Sequence, residues 1–251
     1  MPSTSVARVA HQIFIPWTRQ DGSLLYGVDA GWNDIHDLSR VAKRFREEAA
    51  SKVLCVPEVD WLDGEVPVEW LFVLLNLIRE TPGLQWQLPS GQLENWERQI
   101  RRVLDWIEAR PDWNTLPNDT AWVRTRNFLA DWYVLKRAPD NVWLGAIARR
   151  QVQLDAQIAW LFQIPARKRL LLCYLDSPIT FRPQVELREL VQHLLLDKAK
   201  NLTEPTLLSG VDQVIVDDGG SSAEGIAYIE KQCAQADVEC LPLSSIPRLA
   251  P

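Results

Sequence analysis

Short apolar segments that alternate with longer helical ones constrain this chain more than any other feature of its sequence. LLYGV at 24–28 is followed by a helical stretch over 35–50, and KVLCV at 52–56 by Pro67 and VEWLFVLLNLIRE, closed at Thr81 and Pro82. LQWQL at 84–88 leads into an amphipathic run from Glu94 to Ala109, where Trp96, Ile100, Val103 and Ile107 recur at helical spacing. NVWLGAIA at 141–148 precedes QVQLDAQIAWLFQ, and RLLLCYL at 169–175 precedes a helix over 183–200. QVIVDD at 213–218 precedes GGSS and the helix AEGIAYIEKQCAQA, and VECLPL at 238–243 reads as a closing strand. Parallel strands need crossover connections, and helices supply them. The fold class is therefore α/β, a mostly parallel sheet forming a full or partial TIM-like barrel with outer helices. The strands near 24–28, 52–56, 84–88, 141–147, 169–174 and 213–217 are expected as neighbours in that sheet. A polar connection with Pro111, Pro117 and Asn118, then a helix over 120–136, reads as a helical insertion (110–140) within a single α/β domain (1–251).

At 251 residues and 47% hydrophobic, the chain can bury a substantial core, which argues against disorder. Its formal net charge of −6 repels a phosphate backbone in the aggregate, so nucleic-acid binding needs a local basic face. The stretch MPSTSVARVAHQIFIPW has neither a signal pattern nor an apolar run of the ~20 residues a membrane span needs. A cytoplasmic location is expected, in the host cytoplasm if the chain is phage-encoded, with no membrane partner. Cys55, Cys173, Cys233 and Cys240 include no C-x-x-C pair and read as buried thiols. Twelve Trp against one Met is an unusual balance. Most are expected to fill gaps between elements, a minority to stack on bases or anchor a partner.

Several groups are candidates for chemistry. Glu58 and Asp60 follow the strand ending at Val56, and strand carboxyl ends are where α/β folds place their sites. Asp217 and Asp218 precede the GGSS turn, where Ser221 or Ser222 can cap the next helix and the two carboxylates suit a hard cation. With Cys173 these make the candidate pocket; the bland reading is a set of capped turns. His11 and His36 lack partners at metal-ligand spacing, and no catalytic triad is legible. No metal site and no cofactor is expected. Arg98, Arg101, Arg102, Arg149 and Arg150, with Trp122 and Trp132, form a candidate nucleic-acid or partner surface, and Arg167, Lys168 and Arg169 add to the basic clusters. Ordinary solvated helix faces are the competing explanation.

Three stretches resemble the phage and prophage proteins of the gp thirty-seven/sixty-eight type. KVLCVPEVDWLDGEVPVEW through LQWQL is similar to that family's VFVNSMSDLFHEDVPDEW through TFQLLTKRPE; NVWLGAIARRQ through RLLLCYLDSPI to NVWLGTSVENQ through RFLSCEPLLGPI; and VDQVIVDDGG through CAQADVECL to IDWVIVGGESG through DQCQAAGVPFF. The resemblance spans about two hundred residues. It implies a partial α/β barrel related to radical S-adenosylmethionine enzymes, in which three amino-terminal cysteines bind an iron–sulfur cluster. The departures fall on the polar motifs. Anchored by VAKRF, the cysteine positions hold Tyr26, Asn33 and His36, which supply no thiolates. TKRPE is replaced by PSGQLE and SVENQ by AIARRQ; Cys173 remains, the acid of SCEPLLG has become Tyr174 or been shifted by a deletion, and Asp217, Asp218, Gly219 and Gly220 replace GGESG. Asp60 is the acidic position that still matches.

An apolar frame kept while strand-end polar residues are replaced implies a scaffold that has outlived its chemistry. The leading expectation is a non-catalytic, phage-associated, radical-SAM-like barrel protein that binds a protein, nucleic acid or nucleotide. The alternatives are a cluster-independent enzyme with a strand-end acidic pocket, and a structural or assembly component anchored by exposed Trp. With the iron–sulfur motif absent, the reading leans against an enzyme.

Overall fold

The computed structural model describes residues 10–15, 52–57, 60–118, 120–176, 179–181 and 207–246. The expected strand at 24–28, the helices over 35–50 and 183–200, and the positions of Tyr26, Asn33, His36 and Glu58 lie outside them. The chain is a mixed α/β protein in two compact units. Unit 1 comprises Met1–Trp143, Ile164–Arg167 and Ile246–Pro251, and unit 2 comprises Leu144–Gln163 and Lys168–Ser245.

In unit 1, strands β1 (Ala10–Ile15), β2 (Lys52–Pro57) and β3 (Gln85–Ser90) run parallel in that order. Ala10 lies opposite Lys52, and Lys52 opposite Gln85. Strand β1 was not anticipated: AHQIFI is six residues long and has no turn signal of Gly, Pro or Asn before it. Val53, Leu54 and Cys55 are wholly buried, as are Trp86 to Ser90, the continuous burial of strands covered on both faces.

Helix α1 (Val68–Glu80) starts behind Pro67, whose fixed φ suits a helix entry, and stops where Pro82 disfavours helical geometry at Thr81. It buries seven apolar side chains, from Trp70 to Ile78. Thr81 Oγ1 donates to Leu77 O and accepts from Trp86 Nε1 at 2.9 Å, tying the end of α1 to β3. Helix α2 (Trp96–Glu108) follows a short 3-10 turn and buries Ile100, Val103 and Ile107, the positions its periodicity indicated.

The expected inserted helix is α3 (Ala121–Tyr133), capped by Thr120 Oγ1 accepting from Val123 N–H at 3.3 Å. It packs on α1 and α2 through an aromatic layer. Trp122 stacks on Phe72 at 4.3 Å and meets Trp106 at 5.1 Å, and Trp132 meets Trp96 edge-on at 5.6 Å. Much of the unusual Trp content is this layer. The unit's share of β4 (Val142–Ala148) begins beside β3, where Trp86 N–H donates to Asn141 O.

In unit 2, β4 ends beside the residue following β5 (Lys168–Cys173): Tyr174 N–H donates to Ala148 O at 2.8 Å. Strands β5, β6 (Gln213–Val216) and β7 (Glu239–Pro242) run parallel in that order, with Cys173 opposite Val216 and Val214 opposite Cys240. Helix α4 (Gln151–Gln163) buries Leu154, Ile158 and Leu161. Helix α5 (Ala223–Ala236) starts at Ser222, whose Oγ accepts from Gly225 N–H at 3.1 Å, and ends at Asp237 in the left-handed region (φ 55°). No helix of the described residues is long and apolar enough to cross a membrane.

Candidate functional site

The strand carboxyl ends carry the candidate pocket residues. In unit 1, Asp60 follows β2 and is turned onto its own surroundings. Its Oδ1 accepts from Leu62 N–H at 3.0 Å and Ser90 Oγ at 2.7 Å, and its Oδ2 from Gly91 N–H at 2.6 Å. Ser90 Oγ in turn accepts from Gln92 N–H. Gln92 Nε2 donates to Asp63 Oδ2, while Asn95 Nδ2 and Gln99 Nε2 donate to backbone carbonyls at Leu62 and Asp63. One carboxylate thus clasps the loop after β2 to the loop after β3. Burial pushes the Asp60 carboxyl up from its ordinary range, against the three donors that favour the charged form and with Asp63 adding to the rise.

In unit 2, Asp217 and Asp218 follow β6. Asp217 Oδ1 accepts from Gly219 N–H at 3.3 Å, closing the turn. A Cβ at Gly220 would stand 3.0 Å from Asp217 Oδ2, so a larger residue there would push that carboxylate aside. Asp218 accepts from Ser244 N–H at 2.9 Å and from Ser244 Oγ, and these bonds hold its carboxyl below the ordinary range. Ser222 is the helix cap; Ser221 accepts instead from Leu175 N–H at 3.0 Å, bracing the segment after β5. Cys173, at the end of β5, is wholly buried, and burial pushes its thiol up to about 12.

Three strand-end groups that the sequence did not single out together lie nearby in unit 2: Arg149 after β4, Tyr174 after β5, and Asp217. The Arg149 guanidinium sits 5.1 Å from the Tyr174 ring. Burial raises the Tyr174 phenol, Asp217 adds to the rise and Arg149 opposes it. The phenol therefore keeps its proton and can donate. One cation, one anion and one neutral donor form a set suited to holding a polar group. The signal was available, since each residue directly follows an apolar strand.

The candidate surface fares differently. Trp132 is fully buried and its Nε1 donates to Pro165 O at 2.7 Å, so it is a core residue rather than an exposed anchor: α3 folds its indole against Trp96 and Phe128. Trp122 is half-buried under the Arg110 guanidinium, 4.1 Å from its ring. Arg98, Arg101 and Arg102 line a shallow depression of about 490 Å³ together with Glu94, Glu97 and Asp105, so basic and acidic groups alternate there. Arg101 pairs with Glu97 at 3.0 Å and Arg102 donates to Gly64 O. In unit 2, Arg150 pairs with Asp176 at 3.4 Å and Lys168 with Asp212 at 3.2 Å. Arg167 pairs with Asp140 in unit 1. Among the described residues, no group of three or more His, Cys, Asp or Glu is placed to hold a metal ion.

No curated protein and no solved structure matches the chain. A family model described as "Protein of unknown function (DUF5131)" matches residues 20–239, most of the chain. The protein belongs to that family.

Proposed function

We propose that this chain is a pseudoenzyme, a phage-associated relative of the radical-SAM-like barrel proteins, which acts by binding a partner in the cytoplasm and not by catalysis. One observation carries the reading: the described strand-end carboxylates serve their own loops. Asp60 accepts from Leu62, Ser90 and Gly91, Asp217 from Gly219, and Asp218 from Ser244. A general base has to reach a proton on its substrate, and Asp60 and Asp218 have both carboxylate oxygens engaged by the protein, while Asp217 has its Oδ1 engaged in its own turn. Tyr174, which follows Cys173 at the end of β5, keeps its proton through burial. What remains is recognition chemistry on a retained scaffold.

The favoured partner is a protein. The basic side chains at 101, 150, 167 and 168 are matched by Glu97, Asp176, Asp140 and Asp212. Such pairing supports a mixed-charge surface over the single-sign stripe a phosphate backbone selects. The test of the pseudoenzyme reading is anaerobic reconstitution with iron and sulfide, followed by calorimetric titration with S-adenosylmethionine. The expected result is no stoichiometric cluster and no binding heat. Cluster absorbance near ~400 nm, on the order of one cluster per chain, overturns it.

A further inference from the structure

Arg149, Tyr174 and Asp217 form one lateral row across unit 2. Cys173 lies opposite Val216, and Asp217 N–H donates to Cys173 O at 2.8 Å, so Asp217 stands opposite Tyr174. The same bond, from Tyr174 N–H to Ala148 O at 2.8 Å, sets Tyr174 opposite Arg149. Leu175, one residue further on, reaches helix α5: its Cδ1 is 3.5 Å from where a Cβ on Gly225 would stand. Side chains alternate between faces, so the row is turned to the face away from α5. Two residues earlier on each strand come Ile147, Leu172 and Ile215, an apolar row beneath the polar one.

Opposite charges on neighbouring strands stabilise a sheet by pairing. Here the residue between them keeps them apart. The Arg149 guanidinium lies against the Tyr174 ring at 5.1 Å and makes no ion pair among the described residues, while Arg150 takes Asp176. Asp217 spends Oδ1 on Gly219 N–H, and its Oδ2 accepts no hydrogen bond among the described residues. Gly220 leaves that oxygen clear, since a Cβ there would stand 3.0 Å from it. The half-buried Tyr174 phenol is likewise without a hydrogen-bond partner among the described residues, and it keeps its proton to donate.

We propose that this row binds a free α-amino acid with an aliphatic side chain, Arg149 and Tyr174 holding its carboxylate and Asp217 its ammonium. The site goes beyond the protein-partner reading, since the ligand is small and is held within unit 2. A guanidinium and a phenol donate to a carboxylate, and a free carboxylate oxygen accepts from an ammonium. The order of charge along the row selects a zwitterion: a phosphate or dicarboxylate meets Asp217, and a diamine meets Arg149. Hydrocarbon beneath the row favours an aliphatic side chain and rejects a charged one, because a cation set against it loses its hydration without gaining a partner. Lysine and S-adenosylmethionine, with its sulfonium, are excluded on that ground.

The test is calorimetric titration of the full chain with leucine, isoleucine and valine, where saturable, stoichiometric binding of at least one is expected. N-acetyl-leucine, which lacks the ammonium, leucinamide, which lacks the carboxylate, and lysine should give no measurable binding. These controls use the unaltered protein and do not depend on a variant folding. Asp217→Asn keeps the Oδ1 acceptor that closes the turn, and with Arg149→Gln it should weaken the aliphatic amino acid at least about tenfold, the loss of one hydrogen bond to a charged group. Both variants should unfold at the wild-type temperature without ligand. No saturable heat from any of the three amino acids, N-acetyl-leucine or leucinamide binding as tightly as leucine, or an affinity unchanged in both variants each overturns the proposal.

Discussion

Asp60 shows how a residue that looks catalytic in sequence becomes structural once its partners are known. It is mostly buried and accepts three hydrogen bonds from two loops. Removing the carboxylate strands the Leu62 and Gly91 N–H groups and the Ser90 hydroxyl, so Asp60→Ala should cost about 2–4 kcal/mol, measured by urea unfolding. The pH dependence has a defined sign. Burial raises the folded-state pKa of Asp60 above its unfolded value, so its linked stability is full below the unfolded pKa and is lost as pH rises through the folded one. Asp60→Asn abolishes that titration. The stability of wild type relative to Asp60→Asn should therefore fall as the pH is raised from about 4 to 7, and a constant difference would mean that the carboxyl is not perturbed.

At the level of elements, the inserted α3 helix is held by aromatic contacts more than by its own amphipathicity. Trp132 joins it to Trp96 on α2 and, through its indole N–H, to Pro165 O. Trp132→Phe keeps one aromatic ring but loses the hydrogen bond and part of the indole volume, with an expected cost of about 1–3 kcal/mol. Trp132→Ala also opens a cavity and should cost about 3–5 kcal/mol. Thermal unfolding of the two variants separates these effects: equal losses would show that the hydrogen bond alone, and not the packing, fixes α3. Trp122, half-buried between Phe72 and the Arg110 guanidinium, belongs to the same layer. The aromatics that suggested stacking on bases are thus largely occupied by one another.

For the molecule as a whole, the distribution of charge decides between partners. The net charge is −6, and the described cations at 101, 150, 167 and 168 have acidic neighbours. A labelled single-stranded oligonucleotide is expected to show no measurable binding even at low ionic strength, by fluorescence anisotropy. Binding that weakens steeply with salt, and whose salt slope flattens when Arg149 and Arg150 are changed to Ala, would reinstate a nucleic-acid surface.

The sequence by itself determined the alternation of strand and helix, because period-3.6 patterning and Pro or Ser at element starts act over a few residues. Helix α4 over 151–163 and helix α5 over 223–236 fall where the sequence placed them. Strand β1 escaped notice, since six residues with no turn signal before them gain their strand character from pairing with β2. Tertiary structure alone decided what the polar side chains do. Whether Asp60 faces a substrate or Ser90, thirty residues away, and whether Trp132 is an anchor or core both depend on contacts made after the chain has folded. Spacing along a chain records local geometry, whereas hydrogen-bond acceptors and buried rings are assigned by which loops and helices meet in space.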